Sequence, residues 1–449
     1  MTTDQPVHPH STSPSPSSVR ERIATTLERA RARSTLLTDA VDEGDLVAQH
    51  SPLMSPLVWD LAHIGNQEEL WLVRDVGGRE PLRADIDELY DAFQHPRATR
   101  PRLPLLGPRE ARDYVRVVRD KTLDVLDATP LEGAPLIEGG FAFGMIAQHE
   151  QQHDETMLAT HQLRRGEPVL ADPEPPRARA DATGRVVVTA GPCEIGTDHE
   201  PWALDNERPA HTMWIDEFAI ARAPVTCGEY VEFIADGGYE RPALWSSEGW
   251  QYRQDASLAA PLFWRREGEQ WWRRRFGRDE PVPVDEPVMH VCFHEAEAFA
   301  RWAGARLPTE HEWEKAARFD PATGRSRRYP WGDANPTAEH ANLGQRHVRP
   351  APVGAYPAGA SPLGVQQLIG DVWEWTSSHF LPYPGFRFFP YAEYSEVFFG
   401  PDHRVLRGGS FGTDEVAIRG TFRNWDYPIR RQIFAGLRLA WDTGSAGPR

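Results

Sequence analysis

The sequence predicts two joined domains, an up-and-down bundle of four helices followed by an irregular α+β domain. Three observations carry that expectation. The chain has 449 residues, enough for two domains with sizeable cores at about 100–200 residues each. Apolar residues recur at three- and four-residue spacing in segments between residues 19 and 165, the period of helices that bury one face. Past a proline-rich stretch the texture changes to short β-type runs among Gly, Pro and Trp, as expected of a loop-rich second architecture.

Residues 1–18 (MTTDQPVHPHSTSPSPSS) hold no apolar signal-peptide core and read as a disordered polar tail. Segment 19–43 alternates apolar and charged residues at helical spacing. Ser55-Pro56 reads as an N-cap and first-turn proline opening a second helix over 56–75. A third helix over 108–129 again follows a proline, and a fourth runs over 141–165 and stops at Gly166. Four such helices suggest a bundle over residues 19–170. Its connection at 78–107 is long and rich in Pro and Arg, which marks a functional loop. Residues 171–183 (ADPEPPRARADAT) carry three prolines and no periodicity, and form the linker. In the domain over 184–449, RVVVTAG, HTMWIDEFAIA and VLRGGSF read as strands, and 226–235 and 294–303 as helices. With 16 tryptophans in the chain, aromatic packing is expected to replace a single regular sheet. The Trp-rich segment 245–276 reads as loop and short strands with no assigned role.

Charge and composition exclude several classes. The 49 Lys+Arg against 66 Asp+Glu give a net charge of −17, which disfavours a nucleic-acid or anionic-membrane binder. No apolar run approaches the roughly 18 residues of a membrane span. Cys193, Cys227 and Cys292 form no CxxC pair and no even disulfide framework, so a reducing cytoplasm is expected. Nothing in the sequence calls for an obligate protein partner.

The sharpest local signal is His149-Glu-Gln-Gln-His153. Histidines at i and i+4 project from one helix face, about 5–6 Å apart at Cβ, a separation suited to two imidazoles on one ion. The same spacing fits a solvated polar face, and His149, Glu150 and His153 also match the HEXXH pattern of zinc proteases. His63, among the core-facing Trp59, Leu61, Ile64, Leu70 and Trp71, reads alone as a core histidine. In a bundle, however, facing helices can bring it to the His149/His153 pair. Three neutral imidazoles without a carboxylate suit zinc, iron, nickel or copper and leave coordination positions open. His161, two turns beyond His153, is the reserve ligand.

The segments AHIGNQEELWLVR, HEQQH, RLPTEHEWEKAAR, YPWGD, GDVWEWTSS, VLRGGSF, RGTFRNWDYP and FAGLRLA together resemble the ergothioneine-biosynthesis sulfoxide synthases, the EgtB-type hercynine oxygenases. The likeness extends over nearly the whole chain. It implies a DinB-like bundle joined to a C-type-lectin-like domain similar to the formylglycine-generating enzymes. It implies iron(II) on His63, His149 and His153, with O2 as co-substrate. The implied small-molecule substrates are hercynine (N-α-trimethylhistidine) and a thiol. The implied reaction joins sulfur to the imidazole C2 and oxidises it to a sulfoxide.

The resemblance also assigns the remaining positions. Gln152 is expected to bind the acceptor imidazole, and Asn424 and Trp425 to bind hercynine. An aromatic face suits the trimethylammonium cation. Arg97 and Arg100 of the long loop are expected to grip donor carboxylates, with Asp426 meeting the donor ammonium group or orienting an arginine. That set points to γ-glutamylcysteine, with cysteine or a selenium donor as alternatives. A tyrosine is expected to deliver a proton during oxygen activation. Of Tyr383, Tyr391 and Tyr394, Tyr383 is preferred, because it sits on a Pro-Gly turn whose tip could reach an interdomain cleft. No cysteine follows Cys292, whereas formylglycine-generating enzymes use a closely spaced pair near the C-terminus, so sulfatase maturation is not expected. The rivals are a DinB-type metal-dependent thiol transferase, with the second domain as a lid, and a non-catalytic binding module.

Overall fold

The computed structural model describes residues 16–443. The expected polar tail lies outside the described residues up to residue 15, and the first helix already begins at Pro16. The four long helices are α1 (Pro16–Asp39), α2 (Leu57–Glu68), α3 (Pro108–Ala128) and α4 (Phe141–Leu163). α1 lies along α4, while α2 packs on both α3 and α4. Leu57, Leu61 and Ile64 of α2 are buried with Val115 and Val118 of α3 and Met157 and Leu158 of α4. Such burial, rather than intrinsic propensity, supplies most of the stability of helices this long.

Ser55 is not the N-cap of α2. Pro56 occupies that position and makes no side-chain cap. Instead, the Ser55 hydroxyl accepts a hydrogen bond from Arg100 Nη1 at 2.6 Å. The helix continues past Glu68 as a π-helical stretch, Glu69–Val76. Glu69 there is fully buried and held by Arg74 and by the Tyr114 hydroxyl at 2.7 Å. The loop over 78–107 is folded into short 3-10 turns, among them Arg97–Arg102.

Between Leu163 and Arg185 the chain has no helix or strand and lies against the second domain. Asp172 pairs with Arg275 at 2.7 Å, and Arg179 N–H donates to the Gly354 carbonyl at 2.9 Å. The second domain begins with β1 (Arg185–Val188), β2 (Gly191–Ile195), β3 (His211–Ile215) and β4 (Phe218–Ala221). Then come α5 (Cys227–Ala235) and α6 (Ser247–Asp255). A three-stranded antiparallel unit follows, of β5 (Trp264–Glu267), β6 (Gln270–Arg275) and β7 (Arg278–Pro281). After α7 (Phe293–Trp302) and α8 (Glu310–Arg318) come β8 (Trp373–Phe380), β9 (Gly400–Arg407), β10 (Asn424–Asp426), β11 (Ala435–Leu437) and β12 (Ala440–Asp442).

One sheet has the order β10-β9-β8-β11, another β1-β4-β12. Thr226 and Thr309 cap α5 and α8 with capping boxes completed by Glu229 and Glu312. The Trp-rich segment is thus more regular than expected, with a helix before its strands. Strand β6 fastens it to the bundle: Gln162 of α4 donates to the Arg274 carbonyl at 2.9 Å and accepts from Phe276 N–H at 2.7 Å.

The domains share a continuous core. Trp202 lies directly on α4, where a Cβ on Gly144 would sit 2.3 Å from its ring. Glycine is required by that close approach. Glu155 of α4 accepts from Ser410 Oγ (2.5 Å), Thr413 Oγ1 (2.7 Å) and Trp373 Nε1 (2.8 Å), so the second domain is anchored two residues past His153.

Candidate metal centre and adjoining cleft

Helices α2 and α4 bring His63, His149 and His153 together, as the bundle arrangement predicts. Potential donor atoms of the three lie within 4.8 Å of one another. Ring centroids are 5.1 Å apart for His63–His149, 4.7 Å for His63–His153 and 4.6 Å for His149–His153. His63 Nδ1 donates to the Tyr90 carbonyl at 2.7 Å, and His153 Nδ1 to Asp60 Oδ1 at 2.9 Å. Both partners accept, so Nδ1 of each ring carries a proton and Nε2 is the nitrogen left to face a metal. His149 Nδ1 is buried with no partner. Burial, together with the neighbouring histidines, drives the pKa of His63 and His149 well below the usual imidazole range. These are neutral imidazoles, the form that binds metal. The donor set fits a divalent transition metal.

Glu150 closes off the protease reading. It is buried and paired with Arg31 and Arg119, both at 2.7 Å, and accepts from Ser34 at 2.8 Å. Burial alone would raise its pKa, but the two guanidinium groups outweigh it and hold the carboxyl at about 2. A carboxylate so engaged does not serve as general base. His161 does not join the three either: its Nε2 bonds to the Leu37 carbonyl at 2.9 Å, away from the cluster.

Beside the cluster lies a cleft of about 320 Å³ between the domains. Its α4 wall includes Gln152, and its opposite wall includes Asn424, Trp425 and Asp426, all on β10. Arg97 closes one side, its Nη1 donating to the Leu53 carbonyl at 3.1 Å. Trp425 stacks on Phe380 at 4.2 Å and 7°, which fixes the ring in the wall. Burial raises the Asp426 pKa against the lowering pull of Arg430 and Arg97. Arg430 also lines the cleft and stands 3.3 Å from Asp426. Sequence reasoning passed over it, although its place in the same DYPIRR segment was a usable signal.

Two expected site residues sit elsewhere. Arg100 does not line the cleft. It is 5 % exposed, bonded to Ser55 Oγ and the His95 carbonyl, and its guanidinium lies 3.5 Å over the Trp59 ring. The 3-10 turn that holds both arginines sends Arg97 outward and Arg100 in. Tyr383 is also absent from the cleft. Its ring packs in the second domain between His211 (4.7 Å) and the Arg423 guanidinium (4.2 Å), because the turn folds back onto that domain. Tyr394 comes nearer, its hydroxyl 3.4 Å from Gln152 Oε1. Tyr391 stacks on Trp71 of the π-helical stretch at 5.1 Å and meets Tyr394 edge-on at 6.0 Å.

Comparison with known proteins agrees with this two-part arrangement. The DinB superfamily matches residues 26–157, and the sulfatase-modifying factor enzyme 1-like domain matches residues 171–443. The chain is 54% identical over 443 residues to a hercynine oxygenase of Mycolicibacterium thermoresistibile, covering 96% of this chain and 97% of that one. A hercynine oxygenase of Mycobacterium tuberculosis is 55% identical over 428 residues, covering 94% of this chain and 99% of the relative. A formylglycine-generating enzyme of the same organism is 35% identical over 213 residues, covering 39% of this chain and 69% of that one.

Proposed function

Because the chain belongs to the hercynine oxygenase family, we propose that it joins the sulfur of γ-glutamylcysteine to C2 of hercynine, using iron(II) and O2. It is an oxidoreductase, and its product in this reading is the hercynyl sulfoxide of ergothioneine biosynthesis. The electrons balance on one O2. Forming C–S from C–H and S–H releases two, and oxidising the sulfur to the sulfoxide releases two more. One oxygen atom enters the sulfoxide and the other leaves as water.

The observation that carries this reading is three clustered histidines with no carboxylate among them, beside a cleft walled by both domains. His63, His149 and His153 would hold the iron, which when bound supplies oxygen activation and a coordination position for the thiolate. Gln152, next to His153, is positioned for the acceptor imidazole. Trp425 offers an aromatic edge to the trimethylammonium group and Asn424 a polar neighbour. Arg97 and Arg430 take the donor's two carboxylates, and Asp426 its ammonium group. Arg100 supports this wall from behind rather than touching substrate.

The proton-delivering role expected of Tyr383 is assigned instead to the Tyr391–Tyr394 pair. Burial raises the pKa of both hydroxyls above the ordinary phenol range, so each stays protonated and can donate a hydrogen bond. Tyr394 hydrogen-bonds the residue beside His153.

Iron-loaded protein incubated aerobically with hercynine and each donor in turn, with products weighed by mass spectrometry, tests the assignment. The expected product is the γ-glutamylcysteine sulfoxide adduct. Preferential turnover of cysteine would overturn the roles of Arg97, Arg430 and Asp426, and bound metal with no oxidised product would favour a thiol transferase.

A further inference from the structure

We infer that Trp59 and Asp60, just ahead of His63 on α2, act with Arg100 as positioning residues that hold two of the three histidine rings in their metal-binding pose. The inference rests on reading the histidine cluster as a metal centre. Asp60 is 1 % exposed. The hydrogen bond to His153 Nδ1 is the one its side chain makes among the described residues, and its Oδ2 is buried without a partner. A carboxylate that merely filled space here would be an expensive choice, because a buried charge needs compensation. Fixing the His153 tautomer and the plane of its ring is what the carboxylate accomplishes. Metal-ligating histidines characteristically give their second N–H to such an acceptor.

Trp59 does the same for His63 by contact. The two rings are nearly parallel, at 14°, with centroids 4.6 Å apart, while the Tyr90 carbonyl takes the His63 N–H. One contact restrains the tilt of the ring and the other its rotation. Arg100 covers the opposite face of Trp59 at 3.5 Å, so the indole is clamped between a cation and an imidazole. Burial disfavours the Arg100 cation, and the nearby Asp60 charge partly offsets that cost across this layer. The long loop therefore contributes one arginine to the cleft and one to the foundation beneath the histidines. Its three-residue spacing on a 3-10 turn divides the two.

The test is anaerobic titration of the full-length, metal-free protein with cobalt(II), followed by its ligand-field absorption. Asp60→Ala is expected to weaken cobalt binding about 10–100-fold and to alter the absorption envelope. Asp60→Asn, whose carbonyl still accepts from His153, is expected to fall between Asp60→Ala and the wild type. Thermal unfolding of the metal-free Asp60→Asn protein should match the wild type, separating ring positioning from folding. Wild-type affinity and spectrum in both variants would overturn the inference, even if turnover fell. Asp60-dependent cobalt binding by a protein that forms no sulfoxide with iron would leave the inference standing and remove the proposed reaction. A wild-type protein that binds no cobalt would overturn both.

Discussion

The histidine cluster and the second domain's side of the adjoining cleft are built on opposite principles. Behind the histidines, Glu68, Glu150, Arg31 and Arg119 form a buried network in which each carboxylate meets two guanidinium groups. Across the cleft, Asn424, Trp425 and Asp426 are only half-buried, on a three-residue edge strand of the β10-β9-β8-β11 sheet. Arg430 Nε on that side has no hydrogen bond despite its nearness to Asp426. Rings that are to hold a metal must already be in place, and around the histidines the charged pairs are matched within the protein, with His149 Nδ1 and Asp60 Oδ2 left unpaired. A substrate wall keeps hydrogen-bonding capacity in reserve, to be satisfied by the ligand.

That contrast can be broken from either side. The largest effect is expected from His149→Ala, which removes one of the three proposed ligands and should reduce metal content and product formation to background, as read by metal analysis and mass spectrometry. Next comes the network behind it. Arg119→Met leaves Arg31 as the one guanidinium shared by Glu68 and Glu150, an excess of buried negative charge that should cost about 3–5 kcal/mol of stability, measured by denaturant unfolding of the metal-free protein. A destabilisation under 1 kcal/mol would show that the metal wall does not depend on these pairs.

Acid should probe α4 beyond the cluster. Burial lowers the His161 pKa to about 4 in the folded protein, against about 6.5 when unfolded. The unfolded chain therefore takes up this proton first as pH falls, and stability is lost between about pH 6.5 and pH 4, by up to ~3 kcal/mol. His161→Gln should flatten that part of the stability–pH curve, and an unchanged slope would contradict the assignment.

On the substrate wall the effects should be smaller and fall on binding. Arg97→Ala is expected to raise the KM for γ-glutamylcysteine about 10–100-fold, in line with ~1.5–3 kcal/mol for a charged hydrogen bond, with little change in the KM for hercynine. The smallest effect should come from Tyr383→Phe. That residue lies in the second domain's interior, so the ratio of sulfoxide to other oxidised products should not move, whereas Tyr394→Phe should shift it.

The metal wall was far more legible in the sequence than the substrate wall, and the reason is periodicity. Helical spacing located all four long helices, and the i, i+4 rule placed His149 and His153 on one face. The bundle then brought His63 to them. None of this depends on loop conformation. Arg97 and Arg100 show where such reasoning stops: a 3-10 turn with an internal proline sends them in different directions. The choice among Tyr383, Tyr391 and Tyr394 is illegible for a related reason, since the segment after β8 folds through irregular turns. The anchoring of β6 on Gln162 is a contact between residues 112 and 114 positions apart, which no local pattern announces. Glu150 was visible as part of a motif, but its engagement by Arg31 and Arg119, from two other helices, was not.

The central claim is that the histidine cluster and the opposite wall act on two substrates at once. Oxygen uptake by iron-loaded protein, measured alongside sulfoxide formation with hercynine and γ-glutamylcysteine supplied separately and together, tests it most directly. One O2 is expected to be consumed per sulfoxide formed when both are present, with that coupling lost in His149→Ala. Oxygen uptake that ignores hercynine, or bound iron with no uptake when both substrates are present, would contradict it.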